Sequence, residues 1–423
     1  MLKKFILICL FLIIYFSSQC QNPLFSQFVP IPINSPRWEN YNYKEIKPIA
    51  QILKKKDVLI LSEGGHADGA SYDLQCKIIK ALVDSGIVNT LYTESSWLNT
   101  EKISEVLKKY GKDSIEEATK YINSQELYYW KQNKFWNYLA NQIINGKIQL
   151  IGIDISTTSE IVMKELFDEA ENIISKNQVS FKISTGLKED FLHSNGWDFD
   201  IGYSKILFNQ ATTFIDTVIA AYQNSNQPYK IRQWNSIKDY LNWRYYRNFD
   251  KKGEPLKKKP NDPVKLSYFH NLRDSVMANL FCDNFNSSNR NKSILLIAAT
   301  HSMINNNLIP NNSFRDTSLK NFAQHLVDKG INFYSVCFTS ATGKRGSVQF
   351  TKESSSPVKS PKKSSFEEYF QKTPYSVLFI DFSIYNGNAF YMNPLNVQYK
   401  KANWHKIFGG TFFIKEMYLM NYD

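Results

Sequence analysis

Short apolar runs rich in β-branched residues alternate along the chain with segments whose apolar residues recur at helical spacing. The runs have the length of buried strands and lie at residues 57–61, 89–93, 148–153, 293–299, 331–338 and 375–382. Helical segments between them stop at Gly86, Gly146 and Gly330, as helices with a glycine C-cap do. Alternation of strands and helices predicts an α/β fold with a central, mostly parallel sheet flanked by helices.

The middle of the chain lacks this alternation, because its pattern predicts helices and no strand. We therefore expect an α/β domain in two parts, residues 45–158 and 291–423, separated by a large helical insertion over residues 159–290. The insertion contains the aromatic-rich stretch "IRQWNSIKDYLNWRYYRNF". Within it, Trp243 and Tyr246 are candidates for substrate contact in a lid or pocket wall. The same aromatic residues could instead be ordinary packing residues of a helix.

The first twenty residues, "MLKKFILICLFLIIYFSSQC", combine two lysines, a continuous apolar stretch and small polar residues. This layout predicts a signal peptide over residues 1–20 and an exported protein, periplasmic, on the cell surface or secreted. The apolar run from Phe5 to Phe16 is shorter than the roughly 20 residues that span a membrane. Cys20 leaves open a lipid anchor in place of simple cleavage.

The formal net charge of +12 does not by itself indicate a nucleic-acid partner. Much of the excess lies in "KKGEPLKKKP" and "SPVKSPKKSS", which have the composition of solvated loops. Since export also argues against nucleic acid, we expect no such partner. Beyond the predicted signal, Cys76, Cys282 and Cys337 are an odd number of thiols. They could form one disulfide with one thiol left over, or stay as buried unpaired thiols.

Acids and imidazoles follow successive predicted strands. Glu63 and His66 come after the first strand, Glu94 after the second, Asp154 at the end of the third, and His301 after the fourth. Open parallel α/β sheets bind ligands beyond the carboxyl ends of their strands. These side chains are therefore predicted to meet at one edge of the sheet and form a functional site.

Two segments resemble motifs of the erythromycin esterase-like family. "SEGGHADGASYDL" is similar to its GExxHG opening motif, with Ala67 where glycine is usual, and "RDSVMANLF" is similar to its RDxxMAxN helix, followed by "SILLIAATHSM". The resemblance extends from about residue 54 to the end of the chain. It implies a hydrolase of small-molecule esters or lactones, without implying a particular substrate, whose catalytic residues here are Glu63, His66, Glu94 and His301.

Read onto this chain, the family mechanism is attack by water without a metal or other cofactor. His66 would accept the proton, one of the two glutamates would orient its ring, and His301 or Arg273 would stabilise the oxyanion. Arg273 and Asp154 are expected among the substrate-binding residues. No GxSxG motif is present, which disfavours a nucleophilic serine.

Two other functions use the same side chains. Two histidines and two glutamates suit a transition metal in a metal-dependent hydrolase, although no HExxH motif is present. In a haem- or ligand-binding surface protein, His66 or His301 would be an axial ligand. Both alternatives stay open on the sequence.

Overall fold

The computed structural model describes most of the chain between residues 24 and 420. The described residues are 24–122, 125–132, 134–154, 159–177, 205–248, 263–287, 292–310, 320–346, 355–394 and 398–420. The predicted signal peptide, including Cys20, lies outside these residues. No helix within them is long and apolar enough to cross a membrane.

The strands include all of the runs predicted from the sequence, together with shorter ones. They are β1 Ile31–Ile33, β2 Val58–Glu63, β3 Thr90–Ser96, β4 Gln149–Asp154, β5 Ser293–Ala298, β6 Phe333–Arg345, β7 Ser356–Pro357, β8 Val377–Asp381, β9 Phe390–Met392, β10 Lys400–Ala402 and β11 Gly410–Met417. Strand β6 continues to Arg345, well past its predicted end, because it pairs with β11 as far as Gly343 and then with β7.

One large sheet has the strand order β1-β8-β11-β6-β2-β5-β3-β4, with β7 added beside β6. The neighbours from β11 to β4 are parallel, whereas β8 and β1 are antiparallel additions at one side. The prediction of an α/β fold with a mostly parallel sheet is thus confirmed. Its consequence is that β2, β3, β4 and β5 all end at the same edge.

Helices connect the strands and cover the sheet. They are α1 Tyr43–Lys54, α2 Gly69–Asp84, α3 Trp97–Tyr110, α4 Ile115–Ala118, α5 Gln125–Gln132, α6 Phe135–Ile144, α7 Glu160–Lys176, α8 Lys205–Asn224, α9 Pro228–Asn248, α10 Pro263–Ser287, α11 Ala299–Ser302, α12 Phe322–Asp328 and α13 Phe366–Phe370. The predicted glycine stops after α2, α6 and α12 all have positive φ. In the described residues between β4 and β5, the regular elements are helices only.

A loop from Gly64 to Asp68 connects β2 to α2 and is tied to the far end of the chain. The Gly69 amide donates to the Tyr418 carbonyl oxygen at 2.8 Å, and the Met420 amide donates to the Ala67 carbonyl oxygen at 3.3 Å. Ala67 has a φ of 69°, a left-handed conformation in which glycine is unstrained.

The cysteines in the described residues are unpaired thiols, so the alternative of one disulfide does not apply to them. Cys76, Cys282 and Cys337 are all buried, and none of them forms a disulfide. They behave as small apolar residues of the core.

Candidate functional site

The side chains that were predicted to meet come from four strand ends and one helix. Glu63 is the last residue of β2, Glu94 lies two residues before the end of β3, and Asp154 ends β4. His301 lies in α11, directly after β5, and Arg273 lies in the middle of α10. All of these except His66, which follows β2 in the loop, are buried.

His66 is held by Glu63. Its Nδ1 lies 2.6 Å from Oε1 of Glu63. The Glu63 side chain is only 1% exposed, whereas the His66 side chain is 28% exposed. A buried carboxylate thus fixes a ring that reaches solvent, and with Nδ1 committed to Glu63, Nε2 is the nitrogen that would accept a proton.

Arg273 connects the other strand ends. Its Nη2 donates to Asp154 Oδ2 at 2.7 Å and to Glu94 Oε1 at 2.8 Å, while its Nε lies 3.2 Å from Asp154 Oδ1. The two contacts to Asp154 form the bidentate pairing that suits a guanidinium. Asp154 is fully buried, so it holds the Arg273 side chain in place.

His301 lies between two acids and the guanidinium. Its Nδ1 makes a short hydrogen bond with Asp274 Oδ1. Its Nε2 lies 3.2 Å from Nη1 of Arg273 and 3.4 Å from Oε1 of Glu94. Asp274 therefore orients the His301 ring as Glu63 orients His66, which gives the site two carboxylate–histidine pairs.

Glu94 is ionised throughout the neutral range. Burial opposes its charge, but His301, Arg273 and His66, together with a backbone hydrogen bond, outweigh burial and lower the pKa of Glu94 to about 2. The hydrogen bond comes from the Ala298 amide, 2.8 Å from Oε2 of Glu94. Arg273 is affected in turn: Asp154 and Glu94 raise the pKa of its guanidinium against the opposing effect of burial.

Both carboxylate–histidine pairs belong to one edge of the sheet. Ala298, which contacts Glu94, is the register partner of Glu63 in the parallel pair of β2 and β5. His66 also contributes to the low pKa of Glu94. The structure thus brings together Glu63, His66, Glu94 and His301, and it adds Arg273 and Asp154 to the same group.

The side chains that the metal hypothesis needs as ligands already contact other protein groups. In the part of the chain that the structure describes, no three His, Cys, Asp or Glu side chains are arranged as metal ligands. Both carboxylate oxygens of Glu94 and both ring nitrogens of His301 already contact protein groups. To ligate a metal, these atoms would have to give up those contacts beside a guanidinium.

The aromatic candidates lie on α9. Trp243 is 4% exposed and packs in the main hydrophobic core, and the side chain of Tyr246 lies outside the described residues. Helix α9 packs on α3, where Gln233 Nε2 donates to Glu101 Oε2 at 2.8 Å and Trp97 contacts Tyr229. Packing of this kind is what the core interpretation predicts, and substrate contact by Trp243 and Tyr246 stays a prediction.

Asp274 and Asp68 were missed by the reasoning from strand ends. Asp274 directly follows Arg273 in the "RD" of α10, and that adjacency was a usable signal. Asp68 precedes α2, where an aspartate is ordinarily interpreted as an N-cap. Its side chain makes no capping hydrogen bond; instead, its Oδ1 accepts the Gly346 amide at 3.0 Å.

No protein-family model matches the chain, and no curated protein sequence matches it. Solved structures do. A Bacillus cereus protein has a TM-score of 0.69 at 15% identity, covering 92% of this chain and 96% of its own. A succinoglycan biosynthesis protein has a TM-score of 0.65 at 14% identity, covering 95% and 97%. A mutant of the erythromycin esterase EreC in its open conformation has a TM-score of 0.66 at 14% identity, covering 93% and 99%. The chain therefore has the erythromycin esterase-like fold.

Proposed function

We propose that the protein is an esterase-like hydrolase in which water attacks the carbonyl carbon of a small-molecule ester or lactone. The observation that carries this proposal is the pair formed by His66 and Glu63, in which a buried carboxylate holds a partly exposed imidazole through Nδ1. The similarity in fold to an erythromycin esterase supports the same reaction class.

His66 is the general base in this proposal. Nε2 accepts a proton as the water oxygen bonds to the carbonyl carbon, and the carbonyl π electrons move onto oxygen. Glu63, next to the ring, stabilises the imidazolium that forms. Collapse of the tetrahedral intermediate expels the alkoxide, which takes the proton back from His66. Base assistance of this kind accelerates a reaction by about 10²–10⁴-fold.

Arg273 is proposed to stabilise the oxyanion through Nη1, and His301 is proposed to position that group. Two carboxylates contact the Nε and Nη2 of Arg273, and its Nη1 faces Nε2 of His301. Nε2 of His301 would accept one hydrogen of Nη1 and leave the other for the oxyanion, while Asp274 fixes the ring from the other side. Groups that are held rigid before reaction contribute most to transition-state stabilisation. Asp154 and Glu94 are proposed to act by positioning Arg273.

The location of the activity is also part of the proposal. Export by a signal over residues 1–20 would place it outside the cytoplasm.

A hydrolysis panel tests the reaction class. Purified protein lacking residues 1–20 is incubated with aryl esters, alkyl esters and lactones of increasing ring size, with and without a chelator. We expect hydrolysis of at least one ester or lactone class and no loss with the chelator. Activity that disappears with the chelator and returns with an added transition metal would instead support the metal-dependent alternative.

The aromatic residues of α9 are proposed to determine substrate size. Trp243→Phe retains an aromatic ring in the core and should reduce kcat/KM for a bulky ester more than for a small activated one, because rigid aromatic surface binds apolar groups at low entropy cost. Trp234→Phe is the matched control, since Trp234 is also buried on α9 and contacts Phe167 and Phe214. If both variants change the two substrates equally, Trp243 is only a packing residue.

A further inference from the structure

One oxygen of the carboxylate that holds His66 has no hydrogen-bond donor among the described residues. Glu63 Oε1 contacts Nδ1 of His66, but Glu63 Oε2 is buried and receives no hydrogen bond from this part of the chain. A buried carboxylate oxygen without a donor is unfavourable. A neighbouring carboxylic acid that keeps its proton would be such a donor.

Asp68 is the acid in position to be that donor. It is fully buried, and it follows His66 by two residues in the same loop. Its Oδ2 is folded back over the loop, 3.2 Å from the place that a Cβ would occupy on Gly65, which lies between Glu63 and His66 in the sequence. Its other oxygen, Oδ1, accepts the Gly346 amide at 3.0 Å.

The surroundings favour the protonated form of Asp68. All effects together raise the pKa of Asp68 to about 7. Burial is the largest of them and raises the pKa, as does the charge of Glu63, whereas the Gly346 amide, Arg345 and His66 lower it. The charged neighbours are thus Glu63 from the end of β2, His66 from the loop and Arg345 from the end of β6. From the C-terminal segment, the neighbour is the backbone of Leu419, which forms a β-bridge with Asp68.

We propose that Asp68 is a positioning residue that keeps its proton below neutral pH and uses it to donate a hydrogen bond to Oε2 of Glu63, so that Asp68, Glu63 and His66 form one hydrogen-bonded chain. This inference rests on the proposed function only for its kinetic consequence. Donors at both oxygens fix the plane of the Glu63 carboxylate, and that plane directs the imidazole. When Asp68 loses its proton, the donor disappears and a second negative charge faces Glu63.

Kinetics test the positioning role. Asp68→Asn can still accept the Gly346 amide and donate to Glu63, but it cannot titrate. We expect wild-type kcat to decline as the pH rises through about 7, and Asp68→Asn to keep near wild-type kcat at pH 6 without that decline. Asp68→Ala lacks the donor and should lose at least about tenfold in kcat with little change in KM. Equal loss in the two variants, or a decline that persists in Asp68→Asn, would overturn the proposal.

Thermal unfolding tests the protonated state without any substrate. A folded pKa raised from 3.8 to about 7 stabilises the native state fully below pH 3.8, and this contribution is lost as the pH rises to about 7. The Tm of the wild type should therefore fall relative to that of Asp68→Asn between these limits and stay level above them. A constant difference would show that Asp68 is already ionised and would contradict the proposal.

Two further variants separate the proposal from simpler explanations. Glu367 is also fully buried, and burial raises its pKa to about 7. Glu367→Gln should change the dependence of Tm on pH but leave the kinetic profile unchanged. In a Glu63→Gln background, the Asp68-dependent change in Tm should move to lower pH because the adjacent negative charge is gone. If that titration does not move, Asp68 and Glu63 are not hydrogen-bonded, whether or not the protein hydrolyses esters.

Discussion

Replacing His66 by asparagine is expected to lower kcat for ester hydrolysis by about 10²–10⁴-fold, the contribution of a general base. The asparagine amide nitrogen can take the place of Nδ1 and donate to Glu63, but it offers no basic nitrogen to the water. Since the buried carboxylate keeps a donor, the free energy of unfolding should change by no more than about 0.5 kcal/mol. Kinetics on the best substrate of the panel and denaturant unfolding measure the two effects.

His66→Ala provides the contrast to His66→Asn. It removes the base and also leaves the buried Glu63 carboxylate without its imidazole, which should cost about 1–3 kcal/mol of stability. Similar activity loss in the two variants, with destabilisation only in the alanine variant, is the expected pattern. Appreciable hydrolysis by His66→Asn would contradict the assignment of His66 as the base.

Replacing Arg273 by methionine is expected to lower the free energy of unfolding by about 3–5 kcal/mol, because it removes one partner from a buried ion-pair network. Methionine retains much of the side-chain volume, so the loss reports charge and hydrogen bonding more than packing. Glu94 and Asp154 would remain buried without the guanidinium that contacts both. Chemical denaturation at neutral pH measures the effect.

Lys120→Met is the matched control for Arg273→Met, because Lys120 forms an exposed ion pair with Glu117. An exposed pair contributes little to stability, because water and salt screen it. Adding Asp154→Asn to Arg273→Met should recover part of the stability, since it removes one uncompensated charge. A loss as small as that of Lys120→Met would show that water reaches the Arg273 cluster and screens it.

Acid should weaken the same network in a defined range. The pKa of Glu94 is lowered from 4.5 to about 2 in the folded protein. The stability that this shift provides is present above pH 4.5 and is lost as the pH falls through about 2. The Arg273→Met variant should therefore lose less stability than the wild type over this acid range.

Much of the site could be predicted because it depends on the geometry of parallel strands. Glu63, Glu94, Asp154 and His301 follow strands whose carboxyl ends meet at one edge, and that edge follows from the alternation of strands and helices. The strand order did not follow from the pattern. Periodicity shows where a strand lies in the chain, whereas its neighbours depend on how helices of unequal length pack across the sheet.

The roles of Asp274 and Asp68 could not be predicted from the positions of strand ends. Asp274 contacts His301 only because α10 presents adjacent residues, Arg273 and Asp274, to the site, and the rotation of a helix is determined by its packing. Asp68 has the sequence position of a helix cap, but its side chain instead accepts a hydrogen bond from the Gly346 amide, in the other half of the chain. The short strands β1 and β7 were also beyond prediction, because they have too few residues to show a period.

The position of β2 in the sheet has a consequence for biosynthesis. Its neighbours are β5 and β6, which are both encoded in the later part of the chain, and β2 is buried along its whole length. While the ribosome makes residues 45–158, β3 and β4 can pair with each other, but β2 has no strand beside it. Apolar strands that wait for distant partners fold slowly and are prone to aggregation. The loop that carries His66 thus acquires its geometry only after translation has passed β6 and reached Met420, which bonds to Ala67. A chaperone that shields β2 until then would raise the yield of folded protein.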